Sequence, residues 1–321
     1  MPKRTHKLAL VVPTIGRPAE LRRMLKSLAE QSQPPHQVII VDEGKAGEDF
    51  AGEFPQLNIQ IVSMPGGSTS AKRNAGAQAA ARDISLIGFL DDDIVLEPEA
   101  FEAMLSFWEQ APPEMGGAGF NLANHPTLYA SWLKSSRLAS WLGLYSSEKG
   151  AVLRSGIHTL IGCLQETCYV RWLPTTAAVY PKKVMQEFGF DDWFHGYSYL
   201  EDLEFSYRVG KKYKLAVVAS ARFYHYPSLR GREDTYLFGK KEVVNRLHFV
   251  RKHRELSLFW CCFALLGRTF LSLILGLSTR EVGYFKRALG NCVGLFSVPT
   301  KSLRSVARQQ SLGIVNHGAD R

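Results

Sequence analysis

Three consecutive carboxylates, Asp91, Asp92 and Asp93, follow the apolar run Leu86-Ile87-Gly88-Phe89-Leu90 and precede the short apolar pair Ile94-Val95. Side by side they repel one another unless a cation offsets their charge. On an extended backbone Asp91 and Asp93 point the same way, so both can address one hard divalent ion through oxygen. A solvated acidic turn is the plainer alternative. A second acidic pair, Glu201-Asp202, opens the segment Leu203 to Arg208. Acids at a helix start are electrostatically favoured, so capping alone could explain them. Neighbours there point about 100° apart, so only one of the two can face a given substrate. Between these acids lies Gly66-Gly67-Ser68-Thr69-Ser70-Ala71-Lys72-Arg73-Asn74. Ser68, Thr69 or Ser70 can cap an Ala-rich helix running to about Arg82. Lys72 and Arg73 then fall in its first turn, where the helix dipole disfavours cations by a few tenths of a kcal/mol to ~1. An anion in front of the helix, most naturally a phosphate held by backbone amides and both cations, would resolve that mismatch; a solvated basic turn is the alternative.

The surrounding elements place these groups at the mouth of a sheet. Lys7 to Val12 reads as a first strand, and Pro18 starts a helix with Leu21, Leu25 and Leu28 at helical spacing. Val38 to Val41 is a second strand closing on Asp42, Ile59 to Val62 a third, and Leu86 to Leu90 a fourth, buried on both faces. Strand, helix, strand at this spacing is a βαβ pattern, which implies a parallel sheet. In an open α/β sheet, ligands bind beyond the carboxyl ends of the strands, where the three Asp residues lie. Pro98 opens a helix with Phe101, Met104, Leu105 and Trp108 on its core face, and Pro112-Pro113 and Gly116-Gly117 end it. Residues 120–165 have no steady period; a short helix from Tyr129 to Leu144 is expected there. Val170 to Thr176 reads as a strand leading into a loop, Lys182 to Phe188 as a helix, and Leu215 to Val218 as a strand ending in Phe223-Tyr224-His225-Tyr226-Pro227.

The chain has 321 residues, 45% of them hydrophobic and 21% charged, ordinary for a globular protein. Its net charge of +9 is unevenly placed. Residues 1–221 carry 22 Lys/Arg against 24 Asp/Glu, whereas residues 222–321 carry 17 against 6. A near-neutral body with a basic tail suits an anionic partner surface. The five cysteines (163, 168, 261, 262 and 292) have neither metal-site spacing nor an even disulfide count, so reduced thiols are expected. Cys163, Cys168 and His195 read as buried small side chains and loop polarity. The run Leu8 to Pro13 is too short for a secretory signal.

Taken together, VVPTIGRP after the first strand, VIIVDE ending the second, GGSTSAKRNAG before a helix, FLDDDIVL, GFDDWFHGYSYLEDLEFSYRVG and a final strand with FYHYP come in an order that resembles the family 2 glycosyltransferases. The resemblance covers about residues 6–230. It implies an inverting enzyme of the GT-A fold: an α/β, Rossmann-like mixed sheet flanked by helices, here with a C-terminal helical extension. It implies a nucleotide-diphosphate sugar donor and Mn²⁺ or Mg²⁺. Carried over by position, Pro13 and Thr14 would line the nucleotide pocket, Asp42 would accept a hydrogen bond from the base, and Lys72 and Arg73 would help hold the nucleotide. Asp91 and Asp93 match the family's DXD pair, with Asp91 towards ribose and metal and Asp93 on the metal; Asp92 between them is expected, with Asp91, to help bind the nucleotide sugar. Asp202 matches the general base, with Glu201 as its competitor, and His225 stands where such enzymes place another metal or diphosphate ligand. Two departures stand out: Asp191-Asp192-Trp193-Phe194 replaces the frequent Asp-Glu, and the loop after Asp42 lacks the usual Ser/Asp pattern.

Catalytic residues are thus expected in residues 1–229, with a nucleotide half to about 95 and an acceptor half from 96. Residues 230–321 form a basic and apolar helical region. Leu256 to Leu277 is long enough to span a bilayer, but Arg268 near its middle costs about 2.5–3.5 kcal/mol on insertion. Val282 to Val298 is amphipathic, interrupted by Lys286 and Arg287. Cationic flanks beside apolar helices suit the interface of an anionic membrane, placing the chain on the cytoplasmic face of the cell membrane. Packing on the catalytic domain or on a second subunit, as a homo-oligomer, is the alternative; nucleic acid is not expected. A saccharide or lipid-linked acceptor suits this location. Neither a nucleotidyltransferase nor a dinucleotide-dependent dehydrogenase fits, since PTIGRP occupies the turn where their Gly-rich signatures would stand. A non-catalytic binding or scaffold protein on a decayed transferase fold remains as the rival from another class.

Overall fold

The computed structural model of the chain describes residues 6–43, 49–125, 145–196, 198–228 and 234–297. The helix expected at Tyr129 to Leu144, and the cations Arg230 and Arg232, lie outside the described residues. The chain divides into two compact units, one of Met1–Glu233 with Asn245–Ala264, the other of Asp234–Val244 with Leu265–Arg321.

The first unit is built on a nine-stranded mixed sheet. Strands β1 (Leu8–Pro13), β2 (Gln37–Asp42), β3 (Ile59–Ser63) and β4 (Leu86–Leu90) are parallel, linked through α1 (Pro18–Ala29), the single turn α2 (Phe50–Glu53) and α3 (Thr69–Ala79). Strand β5 (Ile94–Leu96) follows at once, then α4 (Ala100–Gln110), β6 (Met115–Leu122), β7 (Cys168–Val170), β8 (Ala177–Pro181), α5 (Lys182–Glu187), α6 (Glu201–Gly210) and β9 (Lys214–His225). The order across the sheet is β3-β2-β1-β4-β8-β6-β9-β5, with β7 on β9. The predicted βαβ half is thus present, and the sheet becomes mixed where β8 pairs antiparallel to β4.

Alternation along β1 sets the two core layers. Leu8, Leu10 and Val12 pack with α1 and α4 through Leu21, Met24, Phe101 and Met104, and Ala9 and Val11 face the other way with Phe205 and Val209 of α6. Helix α3 lies close on β1 because position 76 is glycine: a Cβ there would fall 2.3 Å from Val11 Cγ1. This approach brings the first turn of α3 over the strand ends.

Three elements depart from expectation. Strand β6 begins where Gly116 and Gly117 look like a helix stop; these glycines, with Gly119, are instead places where Tyr213, Tyr180 and Leu173 press against the strand, leaving no room for a side chain. Strand β8 was not expected. The strand predicted from Val170 onward stops at Val170, because Trp172 Nε1 donates to Thr159 O at 3.0 Å and Leu173 N to Ser206 Oγ at 3.0 Å.

Helix α6 is pinned by a fully buried Glu204. Its carboxylate accepts from Arg208 Nε at 2.7 Å, and Lys252 Nζ approaches to 2.7 Å. Arg208 in turn donates to the carbonyls of Phe188 and Gly189. Burial opposes ionisation of Glu204, but contact with His253 and the Arg208 charge outweigh it and hold the group at about 2, below the ordinary 4.5. A depressed carboxyl stabilises the fold above its unfolded value and loses that contribution as pH falls. The stability difference between the parent and Glu204→Gln, from urea unfolding, should therefore shrink as pH is lowered from 4.5 to about 2. A constant difference would remove Glu204 from this role.

Candidate active site

Strands β1, β2 and β4 end at the same edge of the sheet, and a cleft of about 620 Å³ opens there, in the size range of small-molecule sites. It is lined by Pro13 at the end of β1, Thr14 and Arg17 just after it, Glu43 after β2, Lys72 and Arg73 from α3, Asp91 to Asp93 after β4, Glu201 and Asp202 from α6, and His225 at the end of β9. The sequence spreads these residues over more than 200 positions, and the sheet gathers them.

The three carboxylates diverge. Asp91 accepts from Arg73 Nη2 at 2.9 Å. Asp93 Oδ1 lies 3.0 Å from His225 Nε2, while its Oδ2 accepts from the Ser228 amide at 3.1 Å, with Arg17 Nη1 at 3.4 Å. Strand pairing sets the His225 contact, since Ile94 directly faces His225 across the β5–β9 ladder. Asp92 turns the other way, accepting from Thr14 Oγ1 at 2.6 Å and pairing with Arg17 Nη1 at 3.0 Å. Burial pushes the Asp92 carboxyl up to about 7 despite Arg17 and Thr14. For Asp93 burial works in the same direction, but His225, the Ser228 amide and Arg17 outweigh it and hold the group below the carboxylate range.

Asp91, Asp93 and His225 each offer one ligand atom, all within 4.8 Å of one another. Two hard carboxylate oxygens and one imidazole nitrogen converging at that spacing fit Mn²⁺ or Mg²⁺. The structure therefore brings together the three residues expected as ligands, and sets Asp92 apart from them.

Lys72 and Arg73 are differently engaged than the phosphate reading required. Lys72 Nζ donates to Thr14 O at 3.0 Å and lies 3.4 Å from Glu43; Arg73 bridges Asp91 and the carboxylate of Glu201. Protein acceptors thus offset the dipole mismatch, and no phosphate is needed to explain it. Of the three cap candidates, Ser68 accepts from the Ala71 amide, while Ser70 Oγ donates to Glu201 at 2.7 Å.

The acids at the start of α6 have separate roles. Glu201 is buried and held by Arg73 and Ser70. Asp202 is partly buried in the cleft; its side chain accepts the Leu203 amide at 2.7 Å and makes no ion pair among the described residues. Burial pushes its carboxyl above the usual range, with Asp91 adding and Arg73 opposing. The turn into α6 places Leu200 at φ 73°, a left-handed conformation that costs a non-glycine residue about 1–3 kcal/mol and that clusters at functional sites. Asp42 ends β2 at 1% exposure, its carbonyl accepting from the Met64 amide; the cleft lining takes Glu43 in its place.

Sequence reasoning missed Arg17, Glu43, Ser70 and Ser228. Arg17 had a signal, being a cation in the turn that directly follows a strand end. The others are recognised only through partners more than 25 positions away.

Residues 9–165 match the family described as Glycosyl transferase family 2. An uncharacterized glycosyltransferase of Haemophilus influenzae is 34% identical over 122 residues, 37% of this chain and 38% of the relative. The uncharacterized glycosyltransferase YwdF of Bacillus subtilis is 31% identical over 107 residues, 33% of this chain and 39% of the relative. The chain thus spans less than two fifths of the length of these relatives. Among solved structures, the mannosyltransferase PcManGT of Pyrobaculum calidifontis, determined with GDP-Man and Mn²⁺, is similar with a TM-score of 0.52 at 12% identity over 98% of this chain and 83% of that one. GalNAc-T7, determined with UDP, GalNAc and Mn²⁺, is similar with a TM-score of 0.54 at 13% identity over 70% and 44%. At these identities the likeness shows the fold, which is GT-A.

Proposed function

Because residues 9–165 belong to glycosyl transferase family 2, we propose that the protein transfers a sugar, with inversion, from a nucleotide-diphosphate donor to a hydroxyl of a saccharide or lipid-linked acceptor. The observation that carries this reading is the pairing of two functions in one cleft. A cation-binding donor set (Asp91, Asp93, His225) shares it with a carboxylate, Asp202, that has no cationic partner of its own among the described residues.

Asp91, Asp93 and His225 would hold Mn²⁺ or Mg²⁺, which when bound supplies Lewis-acid stabilisation of the charge developing on the leaving diphosphate. Arg73 orients Asp91 and is itself fixed by Glu201; Thr14 and Arg17 fix Asp92. An acceptor hydroxyl is a poor nucleophile near neutral pH. Asp202 takes its proton as the new bond forms, and burial makes it a stronger base than a solvated Asp. Attack opposite the leaving group inverts the anomeric centre and requires only this one base.

A donor panel tests the reading. One nucleotide-diphosphate sugar should raise the melting temperature only with Mn²⁺ or Mg²⁺ present, by the equivalent of about 2.7 kcal/mol at 100 times its Kd. The transferred sugar should carry the inverted anomeric configuration by NMR. Retention would overturn the role of Asp202, and undiminished transfer in chelator that of the acidic cluster.

A further inference from the structure

The second unit contains parts of α7 (Thr235–Lys252) and α8 (Leu258–Thr279) and the whole of α9 (Val282–Ser297). Helices α7 and α9 meet backbone to backbone, because a Cβ on Gly290 would lie 2.0 Å from Tyr236 O and one on Gly294 2.9 Å from Lys240 O. Ala288, Gly290, Asn291 and Gly294 form the buried face of α9. The opposite side carries Val282, Phe285, Leu289 and Phe296, the last 91% exposed. Helix α8 is divided in the same way. Thr269 and Ser272 are buried, and Arg268 Nη2 lies 3.0 Å from the buried Glu242, which Arg287 also contacts at 2.7 Å. The other face of α8 is Leu266, Phe270, Leu273, Ile274 and Leu277, at the three- and four-residue spacing of one helical stripe, with Phe270 65% and Leu277 72% exposed. Soluble helices place polar groups at such positions, and a contiguous apolar face of this kind marks a binding surface.

We propose that this face of α8 and α9 seats on the surface of an anionic phospholipid bilayer, with α8 lying in the interface instead of crossing it. The proposal goes beyond the reading of the cleft and does not rest on it. Helix α8 has the length and apolar composition of a span. Its polarity is one-sided, however. Arg268 pairs with Glu242, and Thr269 and Ser272 are buried on the same side, so the face left over matches a helix immersed sideways. The insertion cost expected for Arg268 is accordingly not incurred in this geometry. Charge complementarity selects lipid over a protein partner. The stripe on α8 carries no hydrogen-bonding group, whereas protein interfaces have a polar rim that forms hydrogen bonds. Arg280 and Lys286 are exposed where α8 passes into α9, with Glu281 between them and Asp234 3.6 Å from Lys286 Nζ. Beyond the described residues the sequence adds Lys301, Arg304 and Arg308, with no acid between Ser297 and Asp320.

Flotation of the full chain with phosphatidylcholine vesicles, with and without phosphatidylglycerol, tests this. The protein should float with the anionic vesicles, less so as salt rises, and alkaline carbonate should release it. The double variant Phe270→Glu/Leu277→Glu should lose at least roughly tenfold in partitioning. Arg280→Gln/Lys286→Gln removes two exposed charges and one surface pair, Lys286 with Asp234, worth little to the fold, and should weaken binding to anionic vesicles while leaving the melting temperature nearly unchanged. Failure of the folded parent to float at low salt would overturn the proposal. So would variants that float like the parent, resistance to carbonate as for a true span, or an effect of the apolar variant confined to dissociating a dimer.

Discussion

Replacement of Asp202 by Asn should lower kcat by roughly 10²–10⁴-fold, the range expected for loss of a positioned general base. Asn has nearly the same shape and can still accept the Leu203 amide, so folding and Mn²⁺-dependent donor binding should stay at the parental level. The pH profile offers an independent readout. Burial raises the Asp202 carboxyl, so the acid limb of kcat should lie above the ordinary carboxylate range, and the Asn variant should lose that limb. Glu201→Gln makes the contrast. Its carboxylate sits 7% exposed in a pair with Arg73, and it accepts from Ser70. Breaking a buried pair from one side costs about 3–5 kcal/mol, so this variant should be destabilised, with donor affinity falling as Arg73 loosens its hold on Asp91. Urea unfolding and a split of kcat from KM separate the two roles. An inactive but fully stable Glu201→Gln beside an active Asp202→Asn would transfer the base to Glu201.

The asymmetry between these neighbours shows where sequence reading stops. Their divergence at a helix start follows from helical geometry. Both line the cleft, and which one is tied up by protein partners depends on Ser70 and Arg73, more than 125 positions earlier. Elements with strong local signals were legible: the strand-helix alternation through β4, the start of α1 at Pro18, and the apolar face of α4. Strand β6 was not, because its glycines are explained only by the bulky side chains that press on it from Tyr213 and Tyr180. Strand β8 has no period of its own and exists by pairing with β4 on one side and β6 on the other. The same holds for charge. A helix start with Lys72 and Arg73 looks like an anion site until Glu43, Asp91 and Glu201 are seen to occupy them. Arg268 looks like an obstacle to a membrane until Glu242, 26 positions earlier, is seen to hold it on the inner face.

The metal-ligand reading makes the second large expectation, and Asp92 supplies its control. Asp93→Ala removes one of three converging ligand atoms, and with it a group that His225, the Ser228 amide and Arg17 all address. Lewis-acid stabilisation by a bound divalent ion is worth several kcal/mol, so turnover should fall by roughly 10²–10³-fold or more, at about 1.4 kcal/mol per factor of ten. The stabilisation that a donor confers in the presence of Mn²⁺ should vanish. The variant should still fold, because Arg17 keeps Asp92 as its partner and the cleft admits water to the groups left behind. Asp92→Asn bears the opposite signature. Asp92 is 2% exposed and faces Thr14 and Arg17, away from the other two carboxylates, so its loss should disturb the turn after β1 and weaken stability while Mn²⁺ still binds. Calorimetric titration of Mn²⁺ into each folded variant, beside its unfolding curve, distinguishes the pair. Should Asp93→Ala bind Mn²⁺ as the parent does while Asp92→Asn does not, the ion would belong to Asp91 and Asp92, and the alternation of side chains along this turn would have been read on the wrong face.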